Sequence, residues 1–421
     1  MKEKEIFVSQ LQVGLFIKLN LPWISHPFMF NSFKIKSEEQ IATIKSLGIE
    51  KVLYIPEKSD VEPLSRVKEK KSASVEKGGN KSKVIKKNMQ KKLVKVKQLK
   101  SIKDSLASTQ KIYASKLKQL NNSFRLLLGK DERGLNIIHE IVRDGLDLIL
   151  SKSNLVIHLV SEGNMDAEEY SHAMNVMILS LLIGKELGIE EKKMEHLGIG
   201  ALCHDIGKLK IEKKYWRKSV DKMTTLEKDL VRLHPKYGLE LLNSVMPCHK
   251  DICDIVYQHH ERFLGGGFPE GLRGETINQL SRIVSIANIY DRLCNSYDVE
   301  KRFCPFDALQ CVLKEYYFVI DLKLFDVMAK VLGIYPPGTI VKLNNGMIGK
   351  VLTIRLKNLF RPCLMIYDPD IPKKEAALFD LMEYPDLRIV SSVNLKDLNV
   401  KIARYLEATN RVNYSIDSLD N

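Results

Sequence analysis

The sequence predicts a mainly α fold, in which a helical bundle lies between a small α+β module at the N-terminus and a small β module at the C-terminus. Three observations lead to this prediction. Apolar residues recur at helical spacing through residues 106–330, where alternating β patterns are scarce. Short strand-like runs with turn signals mark residues 1–60 and 331–421. The chain of 421 residues is also too long for one ordinary hydrophobic core.

Residues 1–60 predict the α+β module. Strand-like runs occur at 6–8 and 52–55, and an amphipathic stretch around 38–47 ends at Gly48. Between them, the stretch 21–33 concentrates aromatic residues beside prolines. Such a run is typical of a rigid loop packed on a core, with a ligand or partner surface as the alternative.

Residues 61–105 are rich in Lys, Ser and Gly and have no sustained apolar face, which predicts a flexible linker. Residues 68–103 contain fourteen Lys and two Glu, a net charge of +12, so only +2 of the total +14 belongs to the remainder. A solvated charge run is the simplest interpretation, and contact with RNA, anionic lipid or an acidic partner is the alternative. We expect no specific nucleic-acid polymer as a partner of the folded domains.

The helical region begins near residue 106 and continues to about 330. Apolar residues at helical spacing, among them Leu117, Leu120, Ile138 and Ile141, predict helices over 106–160 that lead into the bundle. Residues 165–330 continue as helices broken by Gly and Pro. An all-helical core is the simplest interpretation.

The pattern changes after Gly333. The stretch 336–352 has the order strand, Asn-Asn-Gly turn, strand that is typical of a β-hairpin. Further strands are expected at 362–367 and 387–390, with a closing helix near 395–407. We expect this module, residues 331–421, to have no chemistry of its own.

Composition favours a cytoplasmic protein. The initial MKEKEIFV lacks the apolar segment of a secretory signal, and no stretch approaches the roughly 18 uninterrupted apolar residues of a membrane-spanning helix. The seven cysteines are odd in number and form no CxxC pair, which argues against a disulfide framework and a zinc ribbon. Reduced, mostly buried thiols are expected.

The most informative stretch is 201–208, an apolar run with His204 and Asp205 in its middle. An imidazole nitrogen and a carboxylate oxygen both suit a divalent ion, so the adjacent pair can converge on one metal. Lys208 lies one helical turn beyond His204 and would point toward an anion held by that metal. A satisfied polar contact is the alternative interpretation of the pair.

Further candidate ligands accumulate within the helical region. Glu168 and His172 are four positions apart, which places them on one helix face. His234 opens a His-Pro-Lys-Tyr-Gly segment, and His259 and His260 follow an apolar helix, while His196 is interpreted as structural. Taken singly each could be structural, but together they exceed what one metal needs and indicate two or three divalent ions.

A glycine-rich loop follows the histidine pair. Gly265, Gly266 and Gly267 allow backbone with positive φ close to the site, and Pro269 fixes the exit of the loop. Such a loop can border a bulky anionic ligand, and a mere connector is the alternative.

These residues resemble the HD-GYP family of cyclic-di-GMP phosphodiesterases over about residues 165–330. The motifs that match are His204-Asp205, Gly207-Lys208 and His259-His260-Glu261-Arg262, followed by Gly265, Gly267 and Pro269. Residues 1–60 are similar to the small N-terminal domain often joined to this family. The resemblance implies an HD-type helical bundle that hydrolyses cyclic-di-GMP to the linear dinucleotide or GMP in bacterial signalling.

The resemblance also implies roles for individual residues. His204, Asp205 and Lys208 would be catalytic, with Lys208 on the scissile phosphate. Two or three ions, iron or manganese, would be held by the following residues: Glu168, His172, His204, Asp205, His234, His259, His260 and Asn288. The loop would orient the dinucleotide through a second set: Arg262, Gly265, Gly266, Gly267, Phe268 and Pro269. Metal ions supply activated water and neutralise charge on the phosphoryl oxygens.

The chain departs from the family pattern at several positions. Phe268 replaces the family's tyrosine and Leu264 an aspartate of the loop. Asn288 replaces a bridging aspartate, and its amide brings no negative charge to offset two cations. Asp291, three residues on, could help at the metal, but a helix-terminal contact or support of another residue is the expected role.

A basic pair that grips phosphate in the family is also displaced. Tyr297 and Glu300 stand at the matching places, and Lys301 and Arg302 follow and would substitute with a shifted register. Three hypotheses therefore stand: an active phosphodiesterase, a degenerate domain that binds cyclic-di-GMP or a protein partner without turnover, and an enzyme for another cyclic nucleotide. Protein signalling partners and a homodimer are compatible with each.

Overall fold

The computed structural model falls into two compact units, residues 1–101 and 102–421. The described residues are 3–19, 32–47, 49–64, 107–151, 155–160, 168–218, 220–245, 249–369, 373, 376, 378–408 and 411–418. The basic segment 68–103 and most of the aromatic run 21–33 lie outside them. The expectations of a linker and of a packed loop therefore remain predictions, as do the domain boundaries.

The first unit is a four-stranded antiparallel sheet with one helix. Its elements are β1 (Lys4–Phe7), β2 (Phe16–Lys18), β3 (Ser32–Lys34), α1 (Glu38–Ser46) and β4 (Lys51–Tyr54). The strand order is β1-β4-β2-β3. Ser37 begins α1 by accepting a hydrogen bond from the backbone N–H of Gln40, and Ile41 and Ile44 are buried in the core. The α+β interpretation of this stretch is confirmed.

The second unit is mainly helical. Its helices are α2 (107–128), α3 (Arg133–Ser151), α4 (Glu168–Glu186), α5 (Glu191–Cys203), α6 (Lys213–Trp216), α7 (Thr225–Arg232), α8 (His234–Val245), α9 (Lys250–Gln258), α10 (Gln279–Cys294), α11 (Pro305–Glu315), α12 (Leu322–Leu332) and α13 (Val400–Leu406). Every residue from 171 to 184 is buried, so α4 is the central helix, and it packs against α5, α10 and α12. The mainly α fold with small β regions is confirmed.

Close helix packing at α5 depends on small residues. A Cβ on Gly200 would lie 2.5 Å from the Cδ1 atom of Ile255 in α9, and a Cβ on Gly198 would lie 2.5 Å from Val142 in α3. The absent side chains let α5 approach both neighbours. This approach fixes the position of the residues that follow the end of α5.

A seven-stranded antiparallel sheet completes the unit. Its strands are β5 (Leu155–Val160), β6 (Ile340–Leu343), β7 (Ile348–Arg355), β8 (Asn358–Ile366), β9 (Leu378–Asp380), β10 (Ile389–Ser392) and β11 (Asn413–Ser418). β6 and β7 form the predicted hairpin, and Gly346 in its turn has a φ of +87°. β5 was expected to be helical, and that prediction is wrong. It pairs with β7 and β11, which lie near the other end of this unit in the chain.

Among the described helices, none is both long enough and apolar enough to span a membrane. Of the six cysteines in the described part of the chain, Cys203, Cys294, Cys304 and Cys363 are buried and all six are free thiols. The expectation of reduced and mostly buried cysteines is confirmed for these six.

Candidate metal centre

Helix ends bring the predicted ligands together. His172 lies in the second turn of α4, while His204 and Asp205 directly follow α5. His234 is the first residue of α8, and His259 and His260 follow α9. Helix ends suit this role because a side chain there can leave the helix surface and enter a shared space.

Gly207 explains why these ends can meet. A Cβ at this position would lie 1.9 Å from the carbonyl oxygen of His234 and 2.4 Å from the backbone nitrogen of Gly238. The turn after Asp205 can therefore pack on the start of α8 only if residue 207 has no side chain. The glycine of the motif places Asp205 beside His234.

Asp205 lies between two pairs of imidazoles. Its Oδ2 atom is 3.6 Å from Nε2 of His172 and 3.4 Å from Nε2 of His204. Its Oδ1 atom is 3.2 Å from Nε2 of His234 and 3.7 Å from Nε2 of His259. One carboxylate is thus shared by two ligand groups. The first group consists of His172, His204 and Asp205, and the second of Asp205, His234, His259 and His260. Within each group the candidate ligand atoms lie within 4.8 Å of one another.

The hydrogen bonds of the outer ring nitrogens fix the tautomers. Nδ1 of His204, His234 and His259 lies 2.7, 2.6 and 2.9 Å from the carbonyl oxygens of residues 201, 231 and 256. Since a carbonyl only accepts, each Nδ1 is the donor, and a neutral ring then has a lone pair at Nε2. His172 reaches the same state by donating from Nδ1 to Oδ2 of Asp291 at 2.6 Å.

The inner nitrogens therefore face one another. Nε2 of His172 lies 3.2 Å from Nε2 of His204, and Nε2 of His234 lies 3.2 Å from Nε2 of His259. Burial lowers the pKa of His259 to about 3 and also lowers the pKa of His234 and, more strongly, of His172. These three rings are neutral at pH 7, so their lone pairs point inward.

Asp205 is ionised in this setting. Burial alone would raise its pKa, but the positive charge of Lys208 outweighs burial and holds the pKa well below its ordinary value. Among the residues that the structure describes, none donates a hydrogen bond to its Oδ1 atom. Facing lone pairs around an unsatisfied carboxylate oxygen fit divalent cations on both sides of Asp205.

Two cationic side chains approach the other oxygen of Asp205. Nζ of Lys208 lies 2.5 Å and Nη2 of Arg292 2.6 Å from Oδ2. Burial, together with the charge of Arg292, lowers the pKa of Lys208 to about 8. Sequence reasoning missed Arg292, although its position four after Asn288 places it on the same helix face.

Asp291 supports His172 and is itself held by two asparagine side chains that also bond the backbone beside β11. Its Oδ1 atom accepts hydrogen bonds from Nδ2 of Asn175 at 2.7 Å and of Asn295 at 2.9 Å. Asn295 also donates to the carbonyl of Val412 at 2.7 Å and accepts from the N–H of Val412 at 2.7 Å. The expected supporting role of Asp291 agrees with this geometry.

The remaining predicted ligands are less completely defined. Glu168 is the first residue of α4, and its side chain lies outside the described residues. Asn288 is 5% exposed, and in the described part of the chain its Oδ1 atom has no hydrogen-bond partner. A buried amide oxygen without a donor is available to a cation.

A small pocket lies beside this centre. Its walls include Lys208 and Arg292, and also the aromatic rings of Phe124, Trp216 and Tyr297. The rings of Trp216 and Tyr297 lie 5.9 Å apart. Nη1 of Arg292 donates to the hydroxyl oxygen of Tyr297 at 2.9 Å. Aromatic faces and positive charge thus share one opening.

The glycine loop packs against His260 rather than forming part of this pocket's wall. The ring of Phe268 stacks on His260 with 4.5 Å between centroids, and Gly265 and Gly266 have φ of +93° and +78°. Glu261 holds the loop by accepting from the backbone N–H groups of residues 270 and 271 at 2.7 and 3.0 Å.

Substrate contacts of the loop stay predictions. They concern Arg262, Gly265, Gly266, Gly267, Phe268 and Pro269, which the sequence assigns to the dinucleotide.

We expect Gly267→Ala to disturb His260 and lower both the thermal midpoint and metal affinity. A Cβ there would lie 2.5 Å from the backbone nitrogen of Arg262 and 2.6 Å from Cα of Glu261, and backbone cannot move aside cheaply. Thermal unfolding and metal titration measure the effect. Gly271→Ala is the control, since it meets no atom within 4 Å and adds only left-handed backbone strain of about 1 kcal/mol. Equal losses in both variants would contradict the packing argument.

Lys301 and Arg302 have other contacts. Nζ of Lys301 pairs with Asp221 at 2.8 Å, and Nε of Arg302 donates to the carbonyl of Ser296 at 2.9 Å. Neither residue lines the pocket. The sequence resemblance assigns these two residues to phosphate, and their contacts give that shifted-register interpretation no support, so it stays a prediction.

Two parts of the chain match known family models. Residues 147–318 match the model of the HD domain family, and residues 3–130 match a domain of unknown function, DUF3391. Residues 147–318 are therefore similar to HD domains. The resemblance seen in the sequence is therefore confirmed, and this HD domain includes the residues around Asp205 described above.

Curated relatives of the HD domain include several phosphodiesterases. Cyclic di-GMP phosphodiesterase PA4108 of Pseudomonas aeruginosa is 29% identical over 219 residues, which are 52% of each chain. The response regulator RpfG of Xanthomonas campestris, also named a cyclic di-GMP phosphodiesterase, is 28% identical over 35% of this chain and 39% of its own. The 3'3'-cGAMP-specific phosphodiesterase 3 of Vibrio cholerae is 29% identical over 39% and 35%. The chain thus spans about half or less of these relatives' length.

Among solved structures, the HDGYP protein Bd1817 of Bdellovibrio bacteriovorus is similar to this chain. The two are 18% identical, with a TM-score of 0.45, over 79% of this chain and 99% of the other.

Proposed function

We propose that this protein is a metal-dependent phosphodiesterase that hydrolyses cyclic-di-GMP to the linear dinucleotide or GMP. The observation that supports it most is Asp205, an ionised carboxylate between two pairs of buried imidazoles whose inner nitrogens face one another. A purely structural polar cluster would place protons between these nitrogens. The arrangement suits two cations that share one carboxylate.

The donor set restricts the metal. The two groups contain imidazole nitrogens and a carboxylate, without a thiolate, which suits borderline and hard divalent ions. We propose iron or manganese, held by His172, His204 and Asp205 on one side and by Asp205, His234, His259 and His260 on the other. Asn288 and Glu168 would add ligands, the latter for a third ion. When bound, the ions provide activated water and offset the charge of phosphoryl oxygens.

The chain's own residues then bind and orient the substrate. Lys208 and Arg292 place two positive charges at the pocket wall, where a phosphate oxygen would compete with Asp205 for them. Tyr297, whose ring lines the pocket beside Arg292, would contact the purine base, while Trp216 is 5% exposed and packs behind it. The pocket therefore has cationic groups for a phosphate and an aromatic ring for a base, which favours a nucleotide over a simple phosphate ester as the substrate.

The relatives support a cyclic dinucleotide as the substrate. PA4108 and RpfG are named for cyclic di-GMP, and the Vibrio cholerae relative is named for 3'3'-cGAMP. Cyclic-di-GMP is our choice, with other cyclic dinucleotides as competitors to test. Asn288 favours a second candidate function, a domain that binds the nucleotide without turnover, because an amide leaves the metal charge less compensated.

Anaerobic loading with Fe(II) or Mn(II), followed by chromatography of products from cyclic-di-GMP and 3'3'-cGAMP, tests the proposal. We expect linear dinucleotide or GMP from the wild type and none from His204→Ala. His139→Ala, which removes a histidine paired with Glu195 outside the centre, is the control and should retain activity. Nucleotide binding without products would favour the binding domain over the enzyme. If the protein neither bound the nucleotide nor formed products, both candidate functions would be contradicted.

We expect Asn288→Asp to tighten metal binding about tenfold and to raise turnover at limiting metal, because it adds a negative charge beside the cations. Metal titration and initial rates measure the change. Asn288→Leu has similar volume without charge or a donor atom and is the matched control. If the aspartate and leucine variants bound metal equally well, Asn288 would have no part in the centre.

A further inference from the structure

A second cluster of histidines and a carboxylate lies in the same helices, away from Asp205. It consists of His196 in α5 and of His249 and Asp251 at the start of α9. His196 lies eight positions before His204, and Asp251 lies eight positions before His259. Eight helical positions span about 12 Å, so the two clusters are separate.

The spacing of the candidate ligand atoms suits one ion. Nδ1 of His196 lies 3.2 Å and Nδ1 of His249 lies 3.8 Å from the same oxygen of Asp251, Oδ2. Ligands about 2.1 Å from a tetrahedral ion are separated by roughly 3.4 Å from one another. The two imidazole rings are also neighbours, with centroids 3.8 Å apart.

The carboxylate is prepared for this role. Burial alone would raise the pKa of Asp251, but hydrogen bonds from Asn278 and His196 outweigh burial and lower it, so the group is ionised at pH 7. Nδ2 of Asn278, the residue that begins α10, donates to the other oxygen at 3.1 Å and orients the carboxylate. A ligand carboxylate whose other oxygen accepts a hydrogen bond is typical of metal sites.

The histidines can supply lone pairs at little cost. His196 is 9% exposed, and its Nδ1 lies 3.2 Å from Oδ2 of Asp251, so the tautomer with its proton on Nε2 would present an Nδ1 lone pair to an ion there. The side chain of His249 is 50% exposed, and its Nδ1 accepts a long hydrogen bond of 3.3 Å from the backbone N–H of Asp251. A metal would replace this weak bond, and water would complete the coordination on the exposed side.

We propose that His196, His249 and Asp251 form a second divalent-metal site, of a class that Zn²⁺ fills, which ties α5 to the start of α9. These two helices deliver His204, Asp205, His259 and His260 to the first centre. An ion at the second site would restrain the distance between them. The site is independent of the proposed hydrolysis, because it shares no ligand with the Asp205 centre.

Titration of the metal-free 421-residue chain with Zn²⁺, with bound metal counted after dialysis, tests the second site. We expect His249→Gln to bind about one ion fewer per chain than the wild type and to lose part of the Zn²⁺-induced rise in thermal midpoint. His249 is half exposed, so the variant should fold. His139→Gln, which alters another surface histidine paired with an acid, should bind as the wild type does.

A second measurement separates this site from the first. In a His204→Ala background, Zn²⁺ binding that depends on His249 should persist, and Co²⁺ should give an absorption band that His249→Gln removes. Equal ion counts and equal Zn²⁺ stabilisation in wild type and His249→Gln would overturn the proposal and leave an ordinary ion pair. Failure of the chain to hydrolyse cyclic-di-GMP would not affect these readouts.

Discussion

Asp205→Asn is expected to abolish detectable hydrolysis, with a loss of about 10³-fold or more. The carboxylate is shared by both groups of imidazoles and also faces Lys208 and Arg292. An amide of the same shape removes the charge that offsets two ions and leaves two cationic side chains opposite a neutral group. Removal of such electrostatic stabilisation costs about 4 kcal/mol in the transition state, which corresponds to the stated factor.

Steady-state rates and metal content measured on one preparation provide the check for Asp205→Asn. Metal content should fall together with the rate, because both groups lose the shared ligand. Asp229→Asn is the matched control: this aspartate is exposed and pairs with Arg232 at 3.7 Å on the surface. A folded Asp205→Asn protein with full metal content and near-normal rates would refute the shared-ligand arrangement.

We expect Asn295→Ala to lower the free energy of unfolding by about 3 kcal/mol and to weaken metal binding. The side chain satisfies the buried N–H and carbonyl of Val412 and donates to Asp291, which in turn orients His172. Its removal leaves a buried N–H unsatisfied and loosens Asp291. The loss of stability would therefore arise partly at Val412, a residue outside the matched HD domain.

Urea denaturation and metal titration test this prediction together. Asn358→Ala is the control, since this asparagine is only partly buried at the start of β8 and its amide bonds the sulfur of Met382. Asn295→Gln keeps the amide but lengthens the side chain, so partial recovery of stability is expected. If stability fell while metal affinity stayed unchanged, Val412 and β11 would support the fold without positioning His172.

Local patterns predicted many elements correctly. Ser37 and the apolar spacing after it predict α1, and the Asn-Asn-Gly turn predicts the hairpin of β6 and β7. β5 was missed because its partners β7 and β11 are distant in the chain, and a short apolar run does not distinguish a strand from a buried helix. The expectation that the C-terminal module has no chemistry of its own stays a prediction, and the structure adds that Val412 of this module bonds Asn295, which donates to Asp291.

The residues of the candidate site also differ in whether a local motif predicts them or only helix packing places them. His204-Asp205, His259-His260 and the glycine at 207 are motifs, so they alone indicated the resemblance to the family and the chemistry of the donors. Arg292 carries no motif, and only the packing of α10 against α4 and α9 brings its guanidinium to Asp205. His249 carries no motif either, and only the packing of α5 on α9 stacks it against His196.

The sequence by itself determined the kind of donor atoms, their order along the chain and the glycines that permit close approach, because these depend on residue type and short-range spacing. Tertiary structure alone decided that Asp205 is shared by both imidazole pairs, that Arg292 accompanies Lys208, and that two asparagine side chains bonded to the backbone beside β11 hold Asp291 in place. These are contacts between residues far apart in the chain. Their geometry follows from how whole helices and strands pack, which no local pattern contains.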